Sequence, residues 1–192
     1  MTDDGGIERL LDAVRDRSAA ELVTSPSDSL ADLETPGLRI GRLVIDGIDV
    51  PGEAPLTELP PTAAPDEVEA AAAALGVTFP PLLARLYTEV ADGGWGPSNG
   101  AVPVRRLQEL WESYAVELVE AEDLAPWPAG VVPFSELDQT LTACIDCSSP
   151  DGPIVGFEFD DLDPDDPDAL AEALTPRAVS LEAWLRAWLA GT

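Results

Sequence analysis

The only two cysteines of the chain stand three positions apart, in Cys144-Ile145-Asp146-Cys147. A C-x-x-C pair can exchange electrons or supply half of a zinc site. Redox pairs sit at a helix N-terminus, where the thiol pKa falls. This pair closes an alternating, strand-like run and enters Ser148-Ser149-Pro150-Asp151-Gly152, a turn. Residues i and i+3 of a strand point to opposite faces and lie about 10 Å apart. A disulfide needs Cα atoms within about 7 Å. Zinc would need two further ligands, and the chain has no His and no third Cys. The expectation is one small buried side chain and one near the turn, with no metal and no cofactor.

Glu158 to Asp168 holds seven acids in eleven residues. Asp161, Asp163, Asp165 and Glu172 match positions 1, 3, 5 and 12 of a calcium-binding EF-hand loop. Position 6 is Asp166 where that loop needs Gly, and position 8 is Asp168 where it takes an apolar residue. A strand-like run precedes it instead of a helix. The better reading is a solvated acidic loop in which Asp161, Asp163, Asp165 and Asp166 can meet a cationic partner. Asp92-Gly93-Gly94-Trp95-Gly96-Pro97 lacks the Gly-Lys-Ser/Thr ending of a phosphate loop and follows a helical pattern, so it reads as a helix end and a turn. Trp95 and Trp127 lie in Gly- and Pro-rich loops. Each is a candidate partner-binding anchor if exposed, or a plug at the end of the core if buried.

The absence of His removes Ser-His-Asp and Cys-His catalysis and any imidazole base. Carboxylate pairs for glycoside hydrolysis abound among 37 acids, but no pair is singled out. No enzyme is expected.

All ten cations are Arg, and the formal charge is −27 with a pI near 4.1. Residues 1–60 carry 5 Arg and 13 acids, 61–130 carry 3 and 11, and 131–192 carry 2 and 13. No third is neutral, so no basic face hides in the average. Nucleic acid and anionic membranes are excluded as partners, because both require clustered Lys or Arg. A basic protein is the partner such a field attracts. The start, Met1 to Gly6, is acidic with no apolar run, so no secretory signal is expected. With no apolar run of membrane-spanning length and no disulfide framework, the expected location is cytoplasmic.

The elements that must position these residues follow from periodicity. Ile7, Leu10, Leu11, Val14 and Leu22 mark a helix over 7–23 whose stripe weakens after two turns. Leu38 to Ile45 and Ile48 to Val50, joined by Asp46-Gly47, predict a hairpin. Five prolines between Pro51 and Pro65 predict a linker. Pro65-Asp66-Glu67 opens a helix that Gly76 stops, and Leu82, Leu83, Leu86, Tyr87 and Val90 line the next. Leu107, Leu110, Trp111, Tyr114 and Leu118 give one face of a third helix near 104–122. The period then changes to two. Val131 to Phe134 predicts an edge strand, because it contains Pro133. Thr140 to Ile145 and Ile154 to Phe159 predict two more strands, and Leu181, Trp184, Leu185, Trp188 and Leu189 a final helix between Ser180 and Gly191. Helices, then an antiparallel meander, then a helix give an expected α+β fold. Residues 1–60 form an N-terminal helix and hairpin extension with the Pro-rich linker, and 61–192 the main domain.

The order of these features carries a resemblance. The chain runs from Thr62 through Ala72-Ala73-Ala74-Leu75-Gly76, Phe79-Pro80-Pro81-Leu82-Leu83, Leu86-Tyr87 and Asp92-Gly93-Gly94. It continues with Trp127, Val131-Val132-Pro133, Cys144-Ile145-Asp146 and Asp151-Gly152-Pro153-Ile154-Val155, and closes with Ser180-Leu181-Glu182-Ala183-Trp184-Leu185. This series resembles the SUKH superfamily, which includes the yeast Smi/Knr cell-wall synthesis regulators and many bacterial immunity proteins. The resemblance implies an α+β domain with a mixed or antiparallel sheet backed by helices, and a protein-binding scaffold without catalytic residues. It leaves two roles open: an immunity protein that neutralises a toxin by binding it, a nuclease being one candidate, or a housekeeping regulatory module of the Smi/Knr type.

Overall fold

Helix α1 (Asp4–Thr24) turns one face inward, burying Leu10, Leu11, Val14, Ser18 and Leu22. In sequence the stripe weakens after Val14 only because its next position is a serine. A computed structural model of the protein describes residues 4–24, 43–45, 48–50, 58–119, 125–158, 162–163, 166 and 168–191. Strands β1 (Leu43–Ile45) and β2 (Ile48–Val50) pair antiparallel, with Ile45 opposite Ile48, as the hairpin reading expects. The Asp46-Gly47 turn between them, the Leu38–Arg42 part of the first run, and 51–57 of the expected linker lie outside the described residues.

Helix α2 (Pro65–Ala74) starts with Pro at its first position and buries Val68 and Ala72. Glu67 reaches back to accept from the Ala64 N–H at 2.8 Å. Ala64 has no side-chain acceptor, so only half of a capping box forms. Gly76 ends the helix in the left-handed region. Helix α3 (Pro81–Arg85) widens into a π-helical turn, Leu86–Val90, and buries Leu83, Leu86, Tyr87 and Val90. The third expected helix is broken into three pitches: a 3₁₀ turn Val104–Arg106, α4 (Leu107–Glu112) and a π-helical segment Ser113–Leu118. The Leu118 side chain and residues 120–122 lie outside the described residues.

Four antiparallel strands follow in the order β3 (Val131–Glu136), β4 (Leu141–Asp146), β5 (Ile154–Glu158) and β6 (Leu174–Ala178). β3 is an edge, and its register shifts between Pro133 and Ser135. A proline is tolerated there because it takes a ladder donor away only at the rim. Helix α5 (Ala169–Ala173) leads directly into β6. Helix α6 (Leu181–Ala190) closes the chain; Ser180 Oγ caps it by accepting from the Ala183 N–H at 3.1 Å, and Gly191 turns left-handed after it.

The sheet is buried on both faces. Val132, Phe134, Ala143, Ile145 and Ile154 join α1, α2, α3 and α6 in the larger core. Val131, Cys144 and Phe157 join Ala115, Trp127, Leu170 and Ala173 in a smaller one. Alternation sends neighbouring residues such as Cys144 and Ile145 to opposite cores. The architecture is α+β, an antiparallel sheet between helical layers, preceded by an N-terminal helix. Phe159, expected beside Val155 and Phe157, lies outside the described residues.

Candidate protein-binding surface

Both tryptophans proposed as anchors are buried. Trp95 is 0% exposed and Trp127 8%. Trp95 stacks on Phe134 at 6.1 Å and meets Tyr87 edge-on at 5.4 Å. It reaches the core because the flanking chain doubles back tightly: Gly94 N–H donates to Ala101 O and Ala101 N–H to Trp95 O, each at 2.7 Å. A Cβ on Gly93 would lie 2.8 Å from Pro103 N, and one on Gly100 would lie 2.7 Å from the Gly94 carbonyl carbon, so both positions exclude a side chain. Trp127 sits in the smaller core, donates to Val131 O at 2.8 Å, and packs against Tyr114 and Phe157. The two rings therefore lie on opposite faces of the sheet and share no surface. Of the two readings the sequence left open, the plug is the one the structure shows.

The thiols are separated in the same way. Cys144 is buried in the smaller core, Cys147 packs against the larger one, and both are free. Burial pushes the Cys144 thiol well up. Burial, and then the Asp146 charge, push Cys147 up to about 12. Neither is a thiolate at neutral pH, the opposite of a reactive pair.

Among the described residues the acidic run forms no cage. Asp161 and Asp165 lie outside the described residues. Asp163 is exposed, and its carbonyl accepts from the Asp166 N–H at 2.9 Å. Asp166, half-buried, accepts at Oδ1 from the Asp168 N–H at 2.9 Å. It is a loop-shaping residue at the entry to α5. Among the described residues no group of three or more Cys, Asp or Glu side chains could hold a metal ion.

Seven arginines lie against acids. Arg15 lies against Asp12, Arg17 against Glu21, Arg105 against Asp92, Arg106 against Glu109 and Arg186 against Glu182. Arg85 bridges Glu8 of α1 and Glu89, and Arg177 of β6 meets Glu158 of β5. Arg39 and Arg42 lie outside the described residues. Glu89, held by Arg85, and Asp138, held by the Thr140 and Leu141 N–H groups, both titrate below the ordinary carboxylate range. A general acid needs the reverse.

The family model described as SMI1 / KNR4 family (SUKH-1) matches residues 62–187. The chain belongs to the SMI1 / KNR4 family. No curated protein and no solved structure matches it. The SMI1 / KNR4 segment takes in the whole four-stranded sheet and the smaller core, and leaves outside it α1, which contributes Leu10, Leu11 and Val14 to the larger core. Among the described residues no helix is long and apolar enough to cross a membrane.

One surface feature of the SMI1 / KNR4 segment escapes the sequence reading. β6 forms the far edge of the sheet, and Val179, directly after it, is 83% exposed. Leu174-Thr175-Pro176-Arg177-Ala178 lacks an apolar alternation; a proline flanked by extended-tolerant residues was the available signal.

Proposed function

We propose that this chain is a non-enzymatic protein-binding module of the cytoplasm that captures a basic protein, acting as an immunity protein that neutralises a toxin. Charge carries the reading. The chain stands at −27, and seven of its ten arginines lie against carboxylates, which leaves the acid excess to set the outward field. A toxin that cuts nucleic acid is basic where it grips phosphates. A polyanionic surface can occupy that grip, and its field raises the association rate at low salt. The acids of the 158–168 run, Asp161, Asp163, Asp165 and Asp166, supply the local density for such contact.

The test is co-purification of the tagged full chain from its native host. A basic protein is expected at about 50 mM salt and is expected to be lost near 500 mM, where the screening length shrinks to a few ångströms. Recovery of no basic protein at low salt, or a complex indifferent to salt, overturns the reading. A toxin gene beside this one supports the immunity role; a basic partner without toxicity supports the regulatory role instead.

A further inference from the structure

The chain treats the two edges of its sheet differently. β3 is covered: the Val102 N–H donates to Phe134 O at 2.9 Å, and the Ser135 hydroxyl donates to Gly100 O at 2.9 Å. Beyond β6 no further strand pairs among the described residues. An uncovered edge offers main-chain carbonyls and N–H groups to any extended chain. Proteins blunt such edges with proline or with a free charge. Pro176 removes one donor, but Arg177 is neutralised by Glu158, so no unpaired cation guards the strand. Val179 extends the edge with the one large apolar side chain that is strongly exposed among the described residues. The sequence around it is acidic: Glu172 two residues before β6, and Asp151, whose carbonyl holds the Leu181 N–H at 3.0 Å.

We propose that the β6 edge, from Leu174 to Val179, docks an extended basic segment of a partner protein, which adds to the sheet as a fifth strand. Main-chain bonds to β6 supply affinity, an apolar side chain of the partner lies on Val179, and Lys or Arg on the same segment meet Glu172. A second copy of this chain is disfavoured, because two bodies of −27 repel. The proposal rests on the protein-binding reading above and names its surface.

The experiment titrates the full chain into a fluorescein-labelled eight-residue peptide of alternating Arg and Val. A matched peptide is N-methylated at four consecutive central amides, and a Val179→Ser chain is run in parallel. The native peptide is expected to bind and to weaken with salt. The methylated peptide is expected to bind at least about tenfold more weakly, since several main-chain bonds are lost. Val179→Ser is expected to weaken binding by about threefold or more with an unchanged melting temperature, because the residue is exposed. Equal binding of the two peptides shows charge alone and overturns strand addition. Absence of binding also overturns it, as does a dimer of the chain that Val179→Ser abolishes. If Val179→Ser captures the host partner unchanged, the edge is wrong and the capture reading stands. If the peptide docks as described but the host yields no basic protein, the edge stands and the capture reading fails.

Discussion

Ser18 Oγ accepts a hydrogen bond from the Gly96 N–H at 3.2 Å, across 78 residues of sequence. The bond ties α1, outside the SMI1 / KNR4 match, to the loop that holds Trp95 inside it. Ser18 is fully buried, so the bond forms away from water. Around it Arg15 donates to Glu89 O at 2.6 Å, and the Arg17 guanidinium lies 5.4 Å from the Trp188 ring centroid. Ser18→Ala leaves the Gly96 N–H unpaired and is expected to cost about 1–3 kcal/mol. Leu11→Ala is expected to cost about 2–5 kcal/mol. Urea unfolding measures both, and a change below about 0.5 kcal/mol in each would show that α1 does not contribute to the core.

Glycine substitutions are expected to separate sharply. Gly93 has φ +90°, and a Cβ there would lie 2.8 Å from Pro103 N and 2.9 Å from Ala101 O. Both obstacles are backbone and cannot swing aside. Gly191 has φ +78° with nothing within 4 Å of a Cβ. Gly191→Ala is therefore expected to cost only the left-handed penalty of about 1–2 kcal/mol. Gly93→Ala is expected to lower the melting temperature several times further, or to prevent folding. Equal shifts in thermal melts would contradict the close approach of these segments.

The two buried indoles predict opposite polar consequences. Trp127 Nε1 donates to Val131 O, whereas Trp95 Nε1 has no partner among the described residues. Substitution by Phe shrinks both rings, so both variants lose packing. Trp127→Phe also orphans a carbonyl, while Trp95→Phe removes a buried donor that was itself unpaired. Trp127→Phe is thus expected to lose about 1 kcal/mol more, relative to the apolar volume removed, than Trp95→Phe. Denaturant midpoints of the two variants compare them directly.

Alkaline pH is expected to weaken the fold. The folded chain keeps the Cys147 proton up to about 12, while an unfolded cysteine releases it near 8.5. Between those values the unfolded state binds fewer protons, so stability falls as pH rises. Burial pushes Cys144 and Tyr87 the same way. Urea midpoints from about pH 8 to about pH 11 should decline, and more shallowly for Cys147→Ala. Identical slopes for the two chains would show that Cys147 is not sequestered.

Strong periodicity made most elements legible. α6 could be read in full, because Ser180, the Leu181–Leu185 stripe and Gly191 each state one part of a helix in local chemistry. β4 was legible for the same reason. β6 was not: Leu174–Ala178 is a rim strand whose residues are only partly buried, so burial imposes little pattern on it. The breaks in the third helix were equally silent. One continuous apolar face serves both cores, Leu107 entering the larger and Trp111, Tyr114 and Ala115 the smaller. The change of pitch belongs to that bridging geometry.

Composition determined the sign of the surface field and the lack of imidazole chemistry, and local residue order the identity of the helices and central strands, because charge adds without regard to folding and amphipathic periods are local. Tertiary structure alone decided which way Trp95 and Trp127 face, that Ser18 belongs to the core, and that β6 is the last strand of the sheet among the described residues. Those outcomes depend on contacts between segments far apart in the chain, and side-chain type does not encode them: the same tryptophan in the same glycine-rich loop is an anchor or a plug according to what folds against it.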